Sequence, residues 1–165
     1  MVQDEDLLLA LLNSAPIVDG TKVDNLQGSA GREFVQRFGG TGSKSEIAHL
    51  QRMRSALHEM IRDRADACAV LGSLIHDAIL TPEVAPTGIR WELQTPPAER
   101  LAVRAAMAWS DVTEKMPGRL RPCANTECNL FLIDHSRPGT AKWCSMTTCG
   151  NRMKVRTHAH RQREA

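Results

Sequence analysis

Apolar and polar positions divide the chain into stretches of different period. Leu7 to Leu12 is a continuous apolar run, too short to assign by period alone. Asp4, Glu5 and Asp6 precede it and suit a helix N-terminus, so a helix is expected, with a buried strand as the alternative. A loop with Pro16 follows. Asp24 or Ser29 can then cap a short helix carrying Phe34, Val35 and Phe38, which Gly39-Gly40-Thr41-Gly42 stops. From Ser43 or Ser45, apolar residues recur at three- and four-residue spacing (Ile47, Leu50, Met53 or Arg54, Leu57, Met60, Ile61), the mark of an amphipathic helix. Arg52, Arg54, Arg62 and Arg64 lie among Glu59, Asp63 and Asp66, which reads as a solvated helix surface. A break at residues 62–66 leads to a second helix with Cys68, Val70, Leu71, Leu74, Ile75 and Ile79. Cys68 is expected in its apolar face.

Pro82, Pro86, Pro96 and Pro97 forbid a helix across residues 81–97. Ile89 to Leu93 alternates and reads as a strand. Pro96 or Pro97 can open the next helix, which carries Leu101, Ala105, Ala108, Val112 and Met116 and ends at Pro117-Gly118. That dipeptide is the expected boundary between a helical domain, residues 1–118, and a smaller unit, residues 119–165. His49, His58 and His76 stand alone, without a Cys or carboxylate at ligand spacing, and are read as surface or satisfied core histidines.

Composition sharpens this picture in two respects. Tyr is absent and aromatics are 4% of the 165 residues, so the core must be aliphatic. The net charge of +2 conceals an asymmetry. Residues 119–165 carry nine Lys/Arg against three Asp/Glu, a net of +6; the remainder carries twelve against sixteen, a net of −4. A basic terminal unit on a mildly acidic one is the footprint of nucleic-acid contact. A solvated tail, or cations offsetting a metal–thiolate charge, are the blander readings.

The chemistry sits in the basic unit. Cys123-x4-Cys128 and Cys144-x4-Cys149 are separated by fifteen residues, a spacer of the length used by paired-Cys zinc sites, although the inner gap is usually two residues. Four thiolates suit one tetrahedral zinc. The alternatives are disulfides or free thiols. No signal peptide and no apolar span of about 20 residues is visible, so a reducing cytoplasm is expected, which favours metal. Four cysteine ligands leave zinc no open position, and no nucleophile–base set stands out, so no enzyme activity is expected. The glycines at 39–42 lack the Lys-Ser/Thr of a phosphate loop.

Phe131, Asp134, Ser136, Arg137, then Trp143-Cys144-Ser145 and Cys149-Gly150-Asn151-Arg152-x-Lys154, resemble the CGNR zinc finger over about the last 45 residues. The Leu11-Leu12-Asn13-Ser14 run and Asp24-x-Leu26 are similar to the start of the bacterial ABATE domain that precedes this finger in its family. The resemblance implies a bacterial stress-induced transcription regulator.

The expected fold is therefore mainly α with a small β component: a helical N-terminal domain and a C-terminal treble-clef-like zinc finger made of a β-hairpin and a helix. Leu130 to Asp134 and Thr140 to Trp143 are the expected hairpin strands, turned by Arg137-Pro138-Gly139. One structural zinc is expected on Cys123, Cys128, Cys144 and Cys149. The candidate nucleic-acid contacts are Arg137, Lys142, Arg152, Lys154, Arg156, Arg161 and Arg163, to DNA before RNA. On a helix, Arg152, Arg156, His160 and Arg163 form one stripe, while Lys154, His158 and Arg161 cover the opposite side, which fits phosphate contact better than base readout. Asn151 and Arg152 are candidates to hydrogen-bond the sulfurs or the hairpin. The alternatives are a protein-interaction module, a homodimer through the helical domain, or a small-ligand sensor, with the finger purely structural. No membrane contact is expected.

Overall fold

The apolar run at the N-terminus folds as helix α1 (Val2–Leu12). Leu7, Leu8, Leu11 and Leu12 are at most 1% exposed, a spacing that puts all four on one helical face. This computed structural model describes residues 2–163, apart from the side chains of residues 2, 3, 157–161 and 163. The elements that follow are β1 (Ile17–Val18), β2 (Thr21–Lys22), α2 (Gly28–Arg37), α3 (Lys44–Ile61), α4 (Ala67–Ile75), β3 (Ile79–Ala85), β4 (Gly88–Gln94), α5 (Arg100–Lys115), β5 (Leu120–Pro122), β6 (Phe131–Ile133), a π-helical turn (Met146–Gly150) and α6 (Asn151–Arg163). The described residues are mainly helical, with strand confined to three separate two-stranded hairpins, as expected of a mainly α protein.

α1, α3 and α5 pack together around the leucine face of α1, and α4 closes on α3. Ser43 caps α3: its hydroxyl accepts the Glu46 N–H at 3.1 Å. Glu46, 1% exposed, reaches back so that one carboxylate oxygen accepts the N–H groups of Thr41 and Gly42 and the Thr41 hydroxyl. One side chain thus fixes the glycine-rich turn against the first turn of α3.

Several expectations change here. Arg54 is not part of a solvated surface. It is 7% exposed, and its guanidinium grips both oxygens of Asp24 at 2.8 and 2.9 Å and donates to Ser14 Oγ at 2.7 Å. Arg54 in turn holds the Asp24 carboxyl below its ordinary pKa. Cys68 is exposed instead of lying in the core. α4 buries Ala67 and Leu71, an i, i+4 pair, and Cys68 falls about 80° from the midline between them. The proline-rich stretch holds a strand that composition hides: β3 pairs with β4 from Ile79↔Gln94 to Ala85↔Gly88. A two-stranded hairpin has only edges, where a proline such as Pro82 is tolerated. α5 begins at Arg100, after a turn in which Glu99 N–H donates to the Pro96 carbonyl at 2.9 Å, instead of at the prolines themselves.

The hairpin that opens the C-terminal unit is seated in the helical core. Phe131, 1% exposed, is the largest fully buried side chain among the described residues, and Leu120 and Ile133 pack around the same cluster. The Phe131 ring lies 4.6 Å from the His58 ring on α3, with the Arg62 guanidinium 4.7 Å over it. Two asparagines act as substitute ladder partners. Asn13 accepts Phe131 N–H at 2.8 Å and donates to Phe131 O at 3.1 Å. Asn129 accepts Ile17 N–H at 3.0 Å and donates to Ala15 O at 2.7 Å. Asn13 and Ser14, read in the sequence only as a resemblance, thus tie the end of α1 to β6 and to Arg54.

Candidate metal centre

The four cysteines converge from three local structures. β5 and β6 pair from Leu120↔Ile133 to Pro122↔Phe131, and Cys123 N–H extends the ladder to Leu130 O at 2.8 Å. Between the strands lies a knuckle. Asn125 shapes it by accepting Glu127 N–H at 3.2 Å through its side chain and Cys128 N–H at 2.9 Å through its carbonyl, which places Cys123 and Cys128 on one side. The second pair is strapped to this knuckle by Ala124 N–H, which donates to Lys142 O at 2.8 Å.

The four-residue gap inside each pair departs from the usual two, and the second gap has a specific solution. Gly150 N–H bonds back to Ser145 O at 2.9 Å, a turn five residues long, wider than an α-turn. It brings Cys144 Sγ within 3.7 Å of Cys149 Sγ. Gly150 packs closely here: a Cβ would stand 3.0 Å from Met146 Sδ and 3.3 Å from the Trp143 ring, so those side chains would have to give by a few tenths of an ångström.

The sulfur positions fit zinc. All four Sγ atoms lie within 4.8 Å of one another, and Cys128–Cys144 and Cys144–Cys149 are each 3.7 Å apart. Four bonds of about 2.3 Å in a tetrahedron require an edge of about 3.8 Å. Two N–H groups point at sulfur: Asn125 Nδ2 to Cys149 Sγ and Cys144 N to Cys123 Sγ, both 3.4 Å. Such donors favour thiolate over thiol. Burial pushes the Cys128 and Cys144 thiols up; the sulfur neighbours raise Cys144 further, whereas on Cys128 the Leu130 backbone and Cys144 pull down while Cys149 and Cys123 push up. Burial also acts on Cys149, but the Asn125 amide and the surrounding thiols outweigh it and lower its pKa. A divalent cation relieves the crowding of four thiolates, so the site is one for a single structural zinc with a closed set of protein ligands.

The segment between the pairs does not form the expected hairpin of Leu130–Asp134 with Thr140–Trp143; β6 pairs with β5 instead. Residues 134–143 form an irregular loop around one buried carboxylate. Asp134, 2% exposed, accepts the Ser136 hydroxyl and N–H, Ala141 N–H at 2.9 Å and Arg121 Nη2 at 2.6 Å. The Ser136 hydroxyl, then the other donors and Arg119, hold its carboxyl below the ordinary range. Arg121 Nη2 also donates to Gly139 O and Ala141 O, at 3.0 and 2.7 Å. These side-chain bonds satisfy the loop backbone that strand pairing was expected to satisfy. Asn151 turns its amide to Thr147 O at 3.4 Å, away from sulfur; Asn125 has the sulfur-binding role foreseen for Asn151. Its signal was its place inside the first Cys pair.

Among the basic candidates, Arg137, Lys142, Arg152, Lys154 and Arg156 are exposed. The last three lie on α6, which continues directly from the π-helical turn that bears Cys149. Arg156 is held by Glu127 of the knuckle at 2.7 and 2.9 Å, and Arg156 before Arg152 lowers that carboxyl. The side chains of Arg161 and Arg163, like those of His158 and His160, lie outside the described residues. His135 bonds Glu5 of α1 at 2.6 Å. No helix among the described residues is long and apolar enough to cross a membrane.

The fold and the site define a helical body carrying a four-cysteine zinc finger whose last ligand leads into a basic helix. Residues 119–162 match the CGNR zinc finger, and Cys149-Gly150-Asn151-Arg152 is the run that gives that finger its name. The match covers the finger and leaves the helical residues before it outside. Comparison with curated proteins gives no match.

Proposed function

We propose that the finger and α6 bind nucleic acid, duplex DNA first, and that the protein acts as a bacterial cytoplasmic transcription regulator without catalytic activity. One observation carries this reading. The thirteen residues of α6 include five Lys/Arg and no Asp/Glu, and its turns up to Arg156 present their cations to solvent. A helix of that length spans about 20 Å and fits the major groove. Cations around the whole helix favour phosphate contact over base readout. The four-cysteine site then acts as a mount, fixing where the helix leaves the body.

The test is a titration of the zinc-loaded protein against duplex DNA and RNA at about 50 and 200 mM salt. About five phosphate contacts give a weakening on the order of 10²–10³-fold between these salts. Tighter binding to the RNA reassigns the partner. No binding to either at about 50 mM, where such contacts are strongest, refutes the proposal.

A further inference from the structure

The β3–β4 hairpin is an amphipathic arm with its apolar side bare. Paired residues of an antiparallel ladder share a face, and faces alternate along each strand. Leu80↔Leu93, Pro82↔Trp91 and Val84↔Ile89 therefore fall on one side. Thr81↔Glu92 and Glu83↔Arg90 fall on the other, where Ile79 opposite Gln94 and Ala85 opposite Gly88 are the apolar exceptions. The apolar side is covered only at its base. There Leu80 and Leu93 border a groove of about 300 Å³ on the helical body, walled by Leu71, Ile75, Met107 and Trp109. The tip pair lies four residues further out, about 13 Å along the strands. Val84 is 83% exposed, Ile89 63% and Trp91 62%. The two strands pack on each other and only sparsely on the rest of the described fold. A lone two-stranded hairpin is marginal in water unless its apolar face is covered.

We infer that this face is an interface with a second copy of the chain, the apolar tip of each arm lying over the groove of the other. One molecule carries both halves of the contact, an apolar projection and an apolar groove. A two-fold axis satisfies both at once, which is the self-complementarity that an isologous dimer requires. The area agrees. Ile75, Leu80, Val84, Ile89, Trp91 and Met107 each expose at least 36% of their surface. At on the order of 100 Å² apiece they offer roughly 600 Å², the upper end of what a monomer leaves bare and most of the ~800 Å² that each partner of a standard interface buries. Glu83, Arg90 and Glu92 on the opposite side stay in water, and Trp91 supplies the aromatic anchor common at such contacts. This inference stands apart from the nucleic-acid reading.

The experiment is sedimentation equilibrium on the full zinc-loaded chain from about 1 to 100 µM, concentrations that populate even a dimer with a micromolar Kd. The expected mass at the upper end is twice that of the 18.2 kDa chain. The double variant Val84→Asp, Ile89→Asp should remain at monomer mass, with zinc content and far-UV circular dichroism unchanged. Glu83→Ser, Arg90→Ser, on the other side of the same arm, should still dimerise. Trp91→Lys replaces the double variant if that one loses helical signal. A wild-type chain that stays monomeric throughout overturns the inference, whatever else then covers the arm. So does a dimer that survives the tip variants, or one lost equally with the polar-face variant.

Discussion

Phe131→Ala tests whether the finger is built on the helical core or merely attached to it. The side chain is 1% exposed, against His58 and Arg62 of the helical body. Burying an alanine in its place removes most of that contact and leaves a void that the surrounding helices fill only partly, a loss of about 3–5 kcal/mol. The two hydrogen bonds to Asn13 involve main-chain atoms of Phe131 and survive the substitution. A domain of this size has a total stability of about 5–15 kcal/mol, so the change is large against the whole. With a urea slope of about 1–3 kcal/mol per molar, the midpoint should fall by roughly 1–5 M. The assay follows helix by circular dichroism and zinc release with a chromophoric chelator in one urea series. Both midpoints should fall, because the ring belongs to the core while its strand leads from the ligand knuckle. A helical midpoint shifted by less than about 0.3 M would refute this, since it would correspond to less than 1 kcal/mol.

Four further outcomes are expected. Cys144→Ser should abolish the one zinc per chain, measured by elemental analysis, and remove the α6 helicity while α1–α5 remain folded; collapse of the whole helical signal would contradict that division. Burial lowers the His58 pKa from 6.5 to about 4, while its Nε2–H is donated to Leu12 O. Unfolding restores the ordinary value, so the native state's advantage is complete above pH 6.5 and is lost as pH falls towards 4. Compared with His58→Gln at each pH, so that acid loss of zinc cancels, wild-type melting temperature should fall more steeply across this window; parallel profiles would be inconsistent with it. Asp24→Ala leaves the buried Arg54 unpaired and should cost about 3 kcal/mol in urea unfolding, with part recovered in Asp24→Ala, Arg54→Met; an equal loss in the double variant would count against the pairing. Glu127→Gln releases Arg156 for phosphate and should tighten DNA binding about 2- to 10-fold, with the salt slope steeper by about one unit, whereas unchanged affinity would mean that Arg156 makes no such contact.

What was legible in the sequence is what nearest neighbours and helical periods encode. α3 and α5 follow from leucine and alanine spacing, α1 from the acidic residues ahead of its apolar run, the start of α3 from Ser43 or Ser45, and the metal set from two matched cysteine pairs. What was not legible depends on partners far apart in the chain. Nothing near Arg54 announces that Asp24, thirty residues earlier, will neutralise it. Nothing near Asn13 announces Phe131, 118 residues later. Strand β3 is hidden by Pro82 and Pro86, because composition cannot distinguish a hairpin made only of edges from a loop. The expected pairing of Leu130–Asp134 with Thr140–Trp143 failed for a related reason. Asp134 and Arg121 satisfy the loop backbone from their side chains, and no local pattern distinguishes that from a ladder.

The same division explains where zinc matters. From residue 134 onward, only Asp134, Cys149 and Gly150 are buried among the described residues. That segment has no apolar core, and a unit of its size cannot stabilise itself by burial. Its order comes from the Asp134 cluster and from metal–sulfur bonds. β6, one residue earlier, is anchored by Phe131 in the helical core. Loss of the ion therefore releases the basic helix first and the hairpin last. Nucleic-acid binding by α6 should fall with zinc occupancy well before the helical body melts. Titrating the metal away while following DNA anisotropy and helix content together would separate the two events, and simultaneous loss of both would refute the proposed order.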